Sequence, residues 1–148
     1  MSAHYQRQLR RTTFFLDRAF GGKLILEKLR KAGLRVESHH VRFRHNTPDT
    51  EWLAVVGEKK WIVLTRDAMI GRRRLELDAL LSAGTRVFVV VSKDFTDEAS
   101  ANVIIAALPK ILKMLDENRF PFIAKIHKNS AVDLWKKEPM IHKGVHRP

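Results

Sequence analysis

The sequence contains no cysteine, which removes disulfides, thiolate zinc sites and cysteine nucleophiles together. It has no run approaching the roughly 20 apolar residues that cross a bilayer. Residues 1–11 are charged and lack the apolar centre of a secretion signal. Neither a P-loop nor a Gly-x-Gly-x-x-Gly fingerprint occurs, so nucleotide-cofactor binding has no support. There is no internal repeat and no low-complexity segment. Acids are scarce beside bases: 16 Asp+Glu face 28 Lys+Arg, a formal charge of +12. These absences predict a soluble cytoplasmic domain, and 148 residues suffice for a real core. The positive excess predicts a polyanionic partner, nucleic acid ahead of a membrane surface.

What is present is organised around Trp61-Ile62-Val63-Leu64-Thr65-Arg66-Asp67. A short continuous apolar run of this kind suits a strand buried on both faces of a parallel sheet. Thr13 to Leu16 predicts an earlier strand, ending in Asp17, and 34–39 a second. Thr85 to Val91 is dense in β-branched residues and predicts another. Between them, apolar spacing predicts helices over 24–32, from Thr47-Pro48-Asp49 to about Gly57, over 75–81, and from Asp97 onward with a kink or break at Pro109. Phe120 to Ile126 predicts a last strand, placed at an edge by Pro121. A loose basic arm (1–12), a central domain (13–126) and a basic tail (127–148) follow. The tail carries a short helix over 130–137 and a disordered end over 141–148. Alternating strands and helices imply parallel βαβ units, hence an α/β sandwich with a mainly parallel sheet of four or five strands.

Such sheets gather functional side chains at the carboxyl ends of their strands. Asp17 and Asp67 both stand there, and Asp49 opens the helix that leads into the second of these strands. Two carboxylates ~4 Å apart repel by about 4 kcal/mol at an effective dielectric of ~20. A divalent cation removes that cost, and carboxylate oxygen suits Mg²⁺ or Mn²⁺. Glu51 follows Asp49 by two positions and so points roughly 200° away around a helix; it is a second-tier ligand. Arg18, Arg66 and Arg72-Arg73-Arg74 are near in sequence and could hold phosphates.

Phe14-Phe15-Leu16-Asp17-Arg18, Leu29 to Gly33, Thr47-Pro48-Asp49-Thr50-Glu51-Trp52-Leu53, Val63 to Asp67, Phe88 and Pro121 to Ala124 together resemble the PIN-like domains, relatives of the toxin-type ribonucleases of toxin–antitoxin pairs. The likeness spans about 13–126. It implies a three-layer α/β/α fold and RNA hydrolysis with Mg²⁺ or Mn²⁺. It also implies that Asp17 is the first-strand acid, Asp49 the helix-start acid and Asp67 the acid of the Thr-x-Asp step. The family's usual second acid has no clear counterpart; Glu27, Glu37 and Glu51 are candidates. RNA, a cognate antitoxin and a second copy of the chain are the partners implied.

Each aspartate also has a structural reading. Asp17 and Asp67 suit the capping of the following helix, and Asp49 the first-turn dipole. Glu76 reads as a solvated helix residue, Trp52 and Phe88 as core, and Trp135 as freer. His39, His40 and His45 lack the spacing of a zinc site. The rival to a metal-dependent endoribonuclease is a module that keeps the fold and basic surface without the chemistry, binding RNA or a protein.

Overall fold

The computed structural model describes residues 2–20, 22–91 and 96–137. Strands β1 (Thr13–Leu16), β2 (Arg35–Ser38), β3 (Ile62–Thr65), β4 (Arg86–Val90), β5 (Phe122–Ile126) and β6 (Val132–Lys137) form one sheet in the order β2-β1-β3-β4-β5-β6. The first five run parallel and β6 is antiparallel to β5. Helices are α1 (Ala3–Arg11), α2 (Lys23–Lys31), α3 (His39–Arg42), α4 (Asp49–Glu58), α5 (Arg74–Ala83) and α6 (Asp97–Glu117).

The period-two alternation of the strands divides the core into two layers. Phe14, Leu16, Ile62, Leu64, Phe88 and Val90 face α1, α2 and α6. Phe15, Val63, Val87 and Val89 face α4 and α5, packing on Trp52, Leu53, Val56, Leu77 and Leu80. Both faces are covered, which is why the central strands are apolar throughout. The result is the expected three-layer α/β/α sandwich, with Trp52 and Phe88 in its core.

Several expectations are corrected. The loose arm is helical at Ala3–Arg11: Ser2 caps it through the Tyr5 amide, and Leu9 is buried against the sheet. The sheet has six strands rather than four or five, because the expected helix over 130–137 is β6. β6 pairs along β5, so the strand expected at the edge lies inside, and Pro121 precedes its first ladder position. Helix α6 runs unbroken through Pro109. Helix α4 begins at Asp49 with Pro48 as its cap, one residue later than the threonine-cap reading. The expected disordered end at 141–148 lies outside the described residues.

Strand β1 has β2 on one side and β3 on the other. The chain therefore winds away in both directions from the β1–β3 pair, and the carboxyl ends of these two strands border the crevice where such sheets take ligands. The segments after them are 17–20 and 66–73.

Candidate metal centre

Asp17 continues the β1–β3 ladder: its backbone N–H donates to the Leu64 carbonyl at 3.2 Å. Its side chain then turns into a socket. The Thr65 hydroxyl donates to Oδ2 at 2.5 Å and the Ala19 N–H to Oδ1 at 3.0 Å. Thr65 Oγ1 also accepts from the Asp67 N–H at 3.0 Å. One hydroxyl thus holds the first acid and aims the second, which gives the Thr-x-Asp step a physical role: valine, of the same shape, offers neither bond.

Asp67 Oδ1 accepts from the Met69 N–H and so caps the single turn at Ala68–Gly71. Its Oδ2 points the other way, toward α5. The capping reading and the site reading are both satisfied, one oxygen each. Asp49 comes from the start of α4, where Oδ1 accepts from Trp52 Nε1 at 2.8 Å and from Arg18 at 2.8 Å. Arg18 also donates to the His45 and Thr47 carbonyls, so it fastens the loop before α4 and sets the position of Asp49.

Asp49, Asp67 and Glu76 each place a carboxylate oxygen within 4.8 Å of the others, a group that could hold a metal ion. Buried Asp17 lies alongside and feels the charges of Asp67 and Asp49. The three expected aspartates therefore gather at one edge, with Asp17 set back from the trio. Glu51 is exposed and does not join it.

Glu76 was expected in solvent and is instead buried. Its neighbours Leu75 and Leu77 obscured it: Leu75 is the residue that faces water, at 73% exposure. The available signal was position, since Glu76 lies one helical turn before buried Leu80 and shares its face. Burial, opposed by Arg73 and reinforced by the facing Asp49, raises the Glu76 carboxyl above its usual range.

Among the three carboxylates sits a guanidinium. Arg73 Nη1 lies 3.0 Å from Glu76 Oε1, 3.1 Å from Asp67 Oδ2 and 3.7 Å from Asp49 Oδ2. It supplies the positive charge that the cluster requires. Arg66 is paired with Asp97 at 2.6 Å and lies over the Phe20 ring. Arg72 lies over Trp135, and Arg74 is exposed at the start of α5. Of the histidine group, His39 is packed among Phe15, Phe43 and Trp52 and is not part of the acidic trio.

Burial pushes the Asp17 carboxyl up to about 7 against the pull of Thr65 and Ala19, and Asp67 and Asp49 push the same way. The folded protein therefore holds this proton more tightly than the unfolded chain. Without metal, its contribution is fully present below about pH 4 and is lost as the pH rises through 7. Asp17→Asn is expected to melt higher than wild type at pH 8 in chelator, with the two curves meeting near pH 4. The gap corresponds to up to roughly 4 kcal/mol, at 1.36 kcal/mol per pKa unit. Thermal unfolding across that range checks it; a constant offset at every pH would assign the effect to packing.

Residues 12–92 match a family model described as PIN like domain. A protein of Mycobacterium tuberculosis (strain ATCC 25618 / H37Rv) named "Putative ribonuclease VapC45" is 32% identical over 124 residues, covering 80% of this chain and 88% of the relative. No solved structure matches.

Proposed function

The chain belongs to the PIN-like domain family, and from that premise we propose that it is a divalent-metal-dependent endoribonuclease acting on single-stranded RNA. The observation that carries this reading is the meeting of Asp49, Asp67 and Glu76 within 4.8 Å beside buried Asp17. The relative named as a ribonuclease supports the class of reaction. The donor set is carboxylate oxygen alone, which fits Mg²⁺ or Mn²⁺. Asp49, Asp67 and Glu76 would hold the ion. A divalent ion so held neutralises charge on a phosphodiester and makes water more acidic.

The chain's own groups do the rest. Thr65 and Ala19 fix both Asp17 oxygens, so that acid meets the cluster as an oriented charge. Arg18 holds the loop that presents Asp49. Thr65 orients the backbone of Asp67. Once the Arg73 guanidinium gives way, an ion would meet carboxylates already oriented for it.

The test is cleavage of labelled single-stranded RNA with Mn²⁺ or Mg²⁺ and with excess chelator. Cleavage is expected only with metal and with a low-salt optimum, since phosphate contacts weaken as salt rises. Cleavage undiminished by chelator would overturn the metal reading. The seat of Arg73 favours a second reading, in which the guanidinium replaces the ion for good and the chain binds RNA without cutting it. Calorimetric titration with Mn²⁺ separates the two: that module takes up no ion at the cluster.

A further inference from the structure

Three of the arginines expected on phosphate are engaged by acids: Arg18 by Asp49, Arg66 by Asp97, and Arg73 by Asp67 and Glu76. Arg72, also expected on phosphate, and two lysines that were not, Lys125 and Lys136, have no carboxylate within ion-pair distance among the described residues. All three lie against one indole. Their charged groups are 5.3, 4.3 and 5.7 Å from the Trp135 ring centroid, within the ~6 Å reach of a cation–π contact.

A break in the sheet register brings them together. Ile123 pairs with Lys136 and Ala124 with Leu134, so Trp135 is the extra residue of a β-bulge. In a regular strand residues 135 and 136 would point to opposite faces. A bulge re-aims a side chain, and here it leaves the Lys136 ammonium within reach of the ring. Lys125 comes from the neighbouring strand, where Asp133 is its register partner. That acid is taken by His127 at 2.9 Å.

The ring is seated from beneath by Gly71. A Cβ there would stand 2.5 Å from Trp135 Cζ3 and 2.7 Å from Cη2, so only glycine admits the indole this close. Gly71 ends the turn that Asp67 caps, and Arg72 and Arg73 follow directly. The segment that builds the acidic cluster thus also carries the floor under Trp135. Three positive charges held round one ring repel each other, and a chain of phosphates offsets that repulsion.

We propose that Arg72, Lys125 and Lys136, held in place by Trp135, contact the sugar-phosphate backbone of single-stranded RNA on the flank of the acidic cluster. The proposal deepens the ribonuclease reading and rests on it for the identity of the polyanion. Trp135 is a positioning residue: it fixes the cationic side chains, and their charges bind.

The full chain is titrated against a fluorescein-labelled uridine dodecamer in excess chelator, so that binding is read without cleavage. Kd is measured as a function of KCl. Lys125→Gln and Lys136→Gln are each expected to weaken binding and to flatten the log–log salt slope by about 0.7, and the double variant by about 1.4. Trp135→Ala is expected to weaken binding although it removes no charge. Trp135→Phe keeps a ring against Gly71 and is expected to retain most of the affinity, and a melting temperature of Trp135→Ala near that of wild type excludes misfolding as the cause. Unchanged slopes in both lysine variants would overturn the proposal. So would tighter binding of polyglutamate than of RNA, which would assign the surface to an acidic protein. RNA bound with these slopes but uncut in Mn²⁺ would leave the contact standing and remove the ribonuclease reading alone.

Discussion

Replacing Asp67 by asparagine is expected to lower metal-dependent RNA cleavage by about 100-fold or more, since loss of groups that merely orient metal ligands already costs 10–100-fold. The fold should survive. Asparagine caps as well as aspartate, so the bond that Oδ1 accepts from the Met69 N–H can be kept. The backbone N–H of residue 67 donates to Thr65 Oγ1, a bond that does not depend on the side chain at 67. What is lost is the negative charge at Oδ2, the oxygen that faces Arg73 at 3.1 Å within the acidic trio. A melting temperature near that of wild type together with abolished cleavage would locate the chemistry at the trio. Cleavage at the wild-type rate would remove Asp67 from the reaction. Glu76→Gln is the companion variant, because burial leaves this carboxylate no solvent to exchange for its partners; Glu51→Gln should change nothing, its side chain being exposed and apart from the trio.

Much of this arrangement is legible in the sequence. Strands buried on both faces announce themselves as unbroken apolar runs, so β1, β3 and β4, and the acids that follow β1 and β3, could be placed from residues alone. Their parallel pairing then put Asp17 and Asp67 on the same edge. The misses have a common cause, which is tertiary context. β6 is polar along much of its length, and its apolar Leu134 and Trp135 are adjacent rather than alternating, because the bulge falls between them and the period-two signal. Glu76 was hidden by a helix whose exposed Leu75 implied the wrong inner face. Of the arginines expected on phosphate, Arg18 and Arg73 reach acids of the trio, and the acids that engage these arginines could not be read from the sequence. Arg18 serves the loop before α4, and Arg66 the acid that opens α6. Ion pairs between distant segments leave no trace in local spacing. Charge composition gives an excess of cations; the bulge and Gly71 bring three of them to one ring.

Arg73→Gln is expected to tighten Mn²⁺ binding roughly tenfold, within the usual range of coupling between competing ligands. The guanidinium stands 3.0 Å from Glu76 Oε1 and 3.1 Å from Asp67 Oδ2, so an ion entering the trio must displace it or share its partners with it. Removing the arginine removes that competition. It also leaves Asp67 and Glu76 without a cation and only Arg18 on Asp49, so the metal-free variant should melt below wild type. Metal then restores more stability to the variant than to wild type, because stabilisation grows with the ratio of free ion to Kd. The pH dependence follows the same logic. With Arg73 gone, nothing offsets the burial and the Asp49 charge that raise the Glu76 carboxyl. The loss of metal-free stability with rising pH should therefore be steeper in the variant, and saturating Mn²⁺ should abolish it. Calorimetric titration and thermal unfolding in chelator and in Mn²⁺ measure both halves. Weaker ion binding in Arg73→Gln would mean that the arginine holds the carboxylates in a receptive geometry. Unchanged binding would mean that the ion sits away from the trio, and the assignment of Asp49, Asp67 and Glu76 as its ligands would fall with it.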